Sequence, residues 1–176
     1  MTRILPILAL AVATAAAGEP VRIVFDTDMG NDVDDAIALA TLHAFETRGE
    51  ARILAVTITK DNRWAAPFVD LLNVYYGRPG IPLGMVRNGK TPEDGNYTAV
   101  VAGKQRAGGA LLYPRKVTPE SAVPDAQTVL RRTLEAQPDS SVVIVQTGFS
   151  TNLARLLDSP ADAISRSTVR QASMTA

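Results

Sequence analysis

Short runs of apolar, β-branched residues alternate along this chain with stretches whose apolar positions recur at helical spacing. Val21 to Phe25 is the first run and predicts a buried strand. Ala36 to Phe45 follows, with alanine, leucine and isoleucine spaced as on a helix. Arg52 to Ile58 predicts a second strand. Trp64 to Tyr76 predicts a second helix with Phe68, Leu71, Leu72 and Tyr75 on one side. Gly77 ends that helix and Pro79 blocks its continuation. Ile81 to Met85 reads as a short third strand. Asp125 to Ala136 reads as a helix with Val129, Leu130 and Leu134 as its apolar stripe. Ser141 to Gln146 reads as a strand, and Thr151 to Leu157 opens another helix. The alternation predicts an α/β fold: an open, mostly parallel, Rossmann-like sheet with helices on both faces.

Two stretches stand outside this pattern. Arg87 to Pro124 is rich in glycine, proline, lysine and asparagine. A structureless connection of that length is uncommon in a compact domain and is often functional. Ser165 to Ala176 is polar and aperiodic, as an irregular tail would be. The opening residues have the form of an export signal: Arg3 is positive, Ile4 to Ala17 is apolar, and Ala15-Ala16-Ala17 offers a cleavage site. That apolar run falls short of the roughly 20 residues a membrane span needs. The expected organisation is therefore a leader at 1–17, one α/β domain at 18–164 and a tail at 165–176. The mature protein is expected to be periplasmic or secreted, with no membrane attachment.

Composition narrows the partners. Of the 176 residues, 46% are hydrophobic and 20% charged, the profile of a globular chain. Lysines and arginines number 18, as do aspartates and glutamates, so the net charge gives no electrostatic reason to expect nucleic acid or an anionic membrane as partner. There is no cysteine, which removes disulfides, thiol nucleophiles and zinc–thiolate sites. A homo-oligomer is compatible with the sequence and not required by it.

The chemistry concentrates between the first strand and the first helix. Asp26, Asp28, Asp32, Asp34 and Asp35 fall within ten residues, at the sheet edge where open α/β folds bind ligands. Part of this pattern is ordinary capping: Asp32 suits a helix N-cap, with Asp35 completing a capping-box-like arrangement and Asp34 in the first turn. Each such placement is worth about 0.3–1 kcal/mol. Like charges roughly 5–6 Å apart repel by about 3 kcal/mol per pair at an effective dielectric of 20. Capping does not offset several such pairs, whereas a bound cation does. All the candidate ligands are oxygens, which favours calcium or magnesium over zinc or copper. The EF-hand pattern fails, because Asn31 and Ile37 stand where its glycine and glutamate belong.

The run Phe25-Asp26-Thr27-Asp28 through Asp34-Asp35-Ala36-Ile37-Ala38-Leu39 resembles the N-terminal signature of the inosine–uridine-preferring nucleoside hydrolases. Val143 to Ala154, with Thr147-Gly148-Phe149-Ser150-Thr151-Asn152 at its centre, resembles a strand–loop–helix of the same family. The resemblance covers most of the mature chain and the front portion of a full-length member. An incomplete reading frame would have this form. The resemblance implies a nucleoside hydrolase-like fold, calcium as cofactor and a ribonucleoside as small-molecule substrate. It implies Asp28 as calcium ligand and base for the attacking water, Asp35 as a ligand through both oxygens, and the Thr147 carbonyl as a third ligand. It implies Asp34 and Asn62 as ribose contacts and Asp26 as the residue that orients the others from behind. A last calcium-binding aspartate is expected from the family's C-terminal portion.

A histidine often protonates the leaving base in such enzymes, but His43, the only histidine, lies inside the first helix and reads as a packing residue. Trp64, Tyr75 and Tyr76 read as packing aromatics, and Lys104, Arg106, Arg115 and Lys116 as solvated loop charges or a lid. Tyr97 and Tyr113 are candidates for stacking on a base. Two other classes of function fit parts of the pattern. A haloacid-dehalogenase-like phosphatase also ends a strand with Asp-x-Asp and uses an aspartyl nucleophile with magnesium. A non-catalytic fragment could retain calcium and ribose binding without turnover.

Overall fold

The computed structural model describes residues 18–164, so the expected leader at 1–17 and the tail at 165–176 lie outside the described residues. Four strands and five helices follow in the order β1 (Val21–Thr27), α1 (Asp34–Thr47), β2 (Ala51–Lys60), α2 (Ala65–Tyr75), β3 (Leu83–Lys90), α3 (Thr98–Ala102), α4 (Ala126–Glu135), β4 (Val142–Gln146) and α5 (Thr151–Leu157). All strand pairs are parallel, and the sheet order is β3-β2-β1-β4. No helix among the described residues is long and apolar enough to cross a membrane.

The period of two in β1 divides its side chains between two helical layers. Ile23 and Phe25 join a cluster with Leu39 and Leu42 of α1, Phe68, Val69 and Leu71 of α2, and Ala102 of α3. Val24 turns to the other face and meets Leu130 of α4 and Leu156 of α5. Val24 and Phe25 are both fully buried, and burying such a side chain contributes about 1.5–3 kcal/mol. A one-residue slip would exchange the faces, so the register of β1 is firmly set. In β2 the register steps at Leu54: Ile23 pairs with Ile53, but Val24 pairs with Ala55. This bulge lets Ile53, Val56 and Ile58 all join the α1–α2 cluster.

Four expectations change. β3 runs from Leu83 to Lys90 rather than from Ile81 to Met85. Its polar second half disguised it; β3 is an edge strand, and Arg155 of α5 donates to the carbonyls of Arg87 (2.5 Å) and Asn88 (3.2 Å). Residues 87–124 are not structureless, since they complete β3 and form α3, which packs on α2. Arg115, read as a solvated loop charge, is half-buried and donates to the Ala102 carbonyl at the end of α3 (2.5 Å). The stripe of α2 also differs: Tyr75 is 69% exposed, while Tyr76 stacks on His43 with ring centroids 4.8 Å apart.

His43 is fully buried between α1 and α2, where its Nε2 pairs with Asn73 Oδ1 at 2.9 Å. Burial lowers its pKa to about 4; the Asn73 bond opposes this and the Arg78 charge adds to it. An unfolded histidine takes up a proton near pH 6.5, whereas the folded one stays neutral until about 4. The unfolded state therefore binds more protons in that window, and stability falls as pH falls through it. The lowered pKa corresponds to on the order of 3 kcal/mol across the whole window. Urea unfolding of wild type and His43→Gln at pH 7, 6, 5 and 4 is expected to show the wild type losing stability faster by up to one proton's worth. Parallel curves would contradict it.

Candidate active site

From β1 the chain proceeds outward to β2 and β3 and then returns to lay β4 on the other side of β1. The carboxyl ends of β1 and β4 therefore flank a topological switch point, where a parallel sheet leaves a crevice. Asp26 sits at its floor, in register with Thr57 of β2 and Gln146 of β4.

Asp26 is fully buried. Its Oδ1 accepts hydrogen bonds from Thr57 Oγ1 (2.6 Å) and from Asn152 Nδ2 of α5 (2.8 Å). Its Oδ2 is buried with no hydrogen-bond partner. Burial raises the pKa of this carboxyl against the opposing effect of the two donors. The Asp26 backbone carbonyl accepts from Thr147 N at 2.9 Å, which ties the two strand ends together. Thr57 and Asn152 escaped the sequence reading as site residues, although Asn152 lies inside the second motif. Only the pairing of β1 with β2 gives Thr57 its place.

Asp35, 2% exposed in the first turn of α1, reaches back to the strands. Its Oδ1 accepts from Thr27 Oγ1 (2.6 Å) and from Thr147 Oγ1. Asp35 and Thr147, distant in sequence, thus meet, through the Thr147 hydroxyl. Asp28 is half-buried, and its carboxyl is pushed up to about 6, first by burial, then by a hydrogen bond shared with Asp35 and by that residue's charge. Asp32 and Asp34 are exposed and share a hydrogen bond that raises the pKa of Asp32 and lowers that of Asp34. One oxygen from each of Asp32, Asp34 and Asp35 lies within 4.8 Å of the others. Asp35 therefore links Asp28 and Thr147 on one side to Asp32 and Asp34 on the other.

Asp32 is not the N-cap it was expected to be. Val33 holds that position, with helical backbone angles and no side-chain cap, and Asp35 turns inward instead of closing a capping box. The first turn of α1 has given up capping to direct its carboxylates at one place. An all-oxygen donor set, two carboxylates in direct contact and an unpartnered buried oxygen beneath them fit a hard divalent cation.

A strap from the 87–124 segment closes over the loop that follows β1. The Asn96 backbone N–H donates to the Gly30 carbonyl at 2.9 Å, and its side chain donates to the Asn31 carbonyl. Tyr97 donates to the Asp32 carbonyl at 2.8 Å while its ring packs edge-on against Phe68, so it braces this loop and is not free to stack on a base. Asn62 belongs to the same assembly. Its Nδ2 donates to Pro92 O, Glu93 O and Asp94 Oδ1 at 3.0 to 3.2 Å, and its Oδ1 accepts from Trp64 N at 2.9 Å. The amide that resemblance assigns to ribose is thus engaged in anchoring the strap. His43 is held in the α1–α2 interface and is not the acid for a leaving group.

A parallel α/β sheet with an acidic crevice at its crossing point places a candidate enzyme site at the carboxyl ends of β1 and β4. The model of the inosine-uridine preferring nucleoside hydrolase family matches residues 23–169, and the chain belongs to that family. It is accordingly an N-glycosyl hydrolase, from a metal-dependent family that acts on small nucleosides. A comparison with curated proteins found no match. Membership of that family stands against the phosphatase alternative, and so does geometry, because Asp26, which would be its nucleophile, is fully buried with one oxygen held by two donors.

Gly148 lets the β4 loop come this close to β1. A Cβ there would lie 2.5 Å from Asp28 N, 2.6 Å from Thr59 Oγ1 and 2.7 Å from Thr27 C. Backbone cannot yield as a flexible side chain can, so Gly148→Ala is expected to push Thr147 away from Asp35 and to destabilise the fold by about 1–3 kcal/mol. Thermal melting and divalent-ion binding should both decline; a variant matching wild type in both would overturn this account of the contact.

Proposed function

We propose that this protein hydrolyses the N-glycosidic bond of purine and pyrimidine ribonucleosides to free base and ribose, with calcium as its metal. The observation that carries the reading is the meeting of Asp28, Asp35 and Thr147 at the switch point. Asp28, Asp35 through both oxygens and the Thr147 carbonyl would hold the ion. When bound, calcium would polarise ribose hydroxyls and a water molecule and lower that water's pKa. Asp34, exposed at the rim of the crevice, takes the ribose hydroxyls. Asp28 accepts the proton of the attacking water as its oxygen bonds to the anomeric carbon and the carbon–nitrogen bond breaks. The departing base leaves with that bond's electron pair and takes up a proton. The developing oxocarbenium charge is met by the surrounding carboxylates. Asp26 holds Thr147 and the end of β1 in place from beneath. Residues 1–17 act as the export leader in this reading, and the enzyme works outside the cytoplasm.

The test is release of base from inosine and uridine by the full chain with calcium, set against chelator. Base release that chelator abolishes and calcium restores is expected. Asp28→Asn is expected to lower kcat/KM by about a hundred- to ten-thousand-fold, the range associated with loss of a general base. Ribose binding by calorimetry with no base release would replace the hydrolase reading with the binding-only one.

A further inference from the structure

We infer that Lys60 is a positioning residue for the cation site, acting through Asn31 to hold the loop that joins Asp28 to Asp34 and Asp35. Lys60 ends β2 and is fully buried, which is rare for a lysine unless the charge is compensated. Its Nζ donates to Asn31 Oδ1 at 2.8 Å and lies 3.8 Å from Glu93 Oε1 of the strap. Among the described residues, its bonds go to these two groups rather than to Asp28, Asp34 or Asp35.

The loop it grips has reason to need holding. Gly30 has φ +138, a conformation that side chains rarely adopt, so the segment turns at its most permissive residue. The Lys60 stem runs beneath that turn, since a Cβ on Gly30 would lie 3.2 Å from Lys60 Cδ and 3.4 Å from Cε. From above, Gly95 crosses so closely that a Cβ on it would lie 2.1 Å from the Gly30 carbonyl oxygen. Asn31 is held twice, by Lys60 through its side chain and by Asn96 through its backbone carbonyl. The loop between the acidic residues of β1 and those of α1 is thus clamped between a buried ammonium and the strap. Groups that orient ligands in this way typically change metal affinity by 10–100-fold when removed.

Charge and position predict opposite signs, which makes the inference testable. A lysine that mattered only as a nearby positive charge would weaken cation binding, so its removal would tighten calcium. A lysine that positions the loop would, on removal, weaken calcium. The inference rests on the cation-site reading, so calcium binding to the full-length chain is measured by calorimetry for the wild type first. Lys60→Met is expected to bind calcium about 10–100-fold more weakly. Asn31→Ala should show a similar loss, and it serves alone if Lys60→Met does not fold. Asn31→Asp, which keeps an acceptor for Nζ, should bind at least as tightly as wild type. Unchanged or tighter binding in folded Lys60→Met, or in Asn31→Ala, overturns the inference while leaving the cation site standing. No calcium uptake by the wild type overturns the cation site and this inference with it.

Discussion

Carboxylates resist being gathered in one place, and the design of this protein follows from gathering them. Burial and mutual contact raise Asp28 and burial raises Asp26, so the protein groups by themselves discourage the charge that gathers there. The surrounding structure counters that resistance by fixing each group separately. Asp26 is fixed by Thr57 and Asn152, Asp35 by Thr27 and Thr147, and the intervening loop by the strap. No two of these anchors come from one element, which is why the site needs the sheet, both helical layers and the 87–124 segment together. A divalent ion reverses the sign of the problem, since the oxygens that repelled one another then share a partner.

Much of this is legible in the sequence. The apolar, β-branched run Val21 to Phe25 and the helical spacing from Ala36 locate β1, α1 and the acidic turn between them. The parallel sheet then places Thr147 beside Asp26, because both end adjacent strands. What was not legible depends on packing. The second half of β3 carries Arg87, Asn88, Gly89 and Lys90, and no periodicity could show that Arg155 would cover its carbonyls. Asp32 has the chemistry of a cap, and only the inward turn of Asp35 shows that capping was forgone. Asn62 matches a ribose contact by position, yet its donors and acceptor serve the strap. Local sequence reports what a residue can do, and neighbours decide which option is taken.

The glycines make the same point in space rather than in sequence. Gly148 and Gly95 are places where backbone touches backbone, β4 loop to β1 in one case and strap to acidic loop in the other. Neither contact tolerates a methyl group without movement of the main chain. Compactness at these two crossings brings residues from separate segments into a single coordination-sized volume.

The unpartnered Oδ2 of Asp26 carries a wider consequence. A buried oxygen without a donor costs about 1–3 kcal/mol, against a typical whole-domain stability of roughly 5–15. Folding and chemistry therefore compete at one atom. A side chain of similar size with no unpaired oxygen would remove that cost. Thermal hardiness is thus to be gained at this position by removing the very acid that anchors Thr57 and Asn152 beneath the crevice.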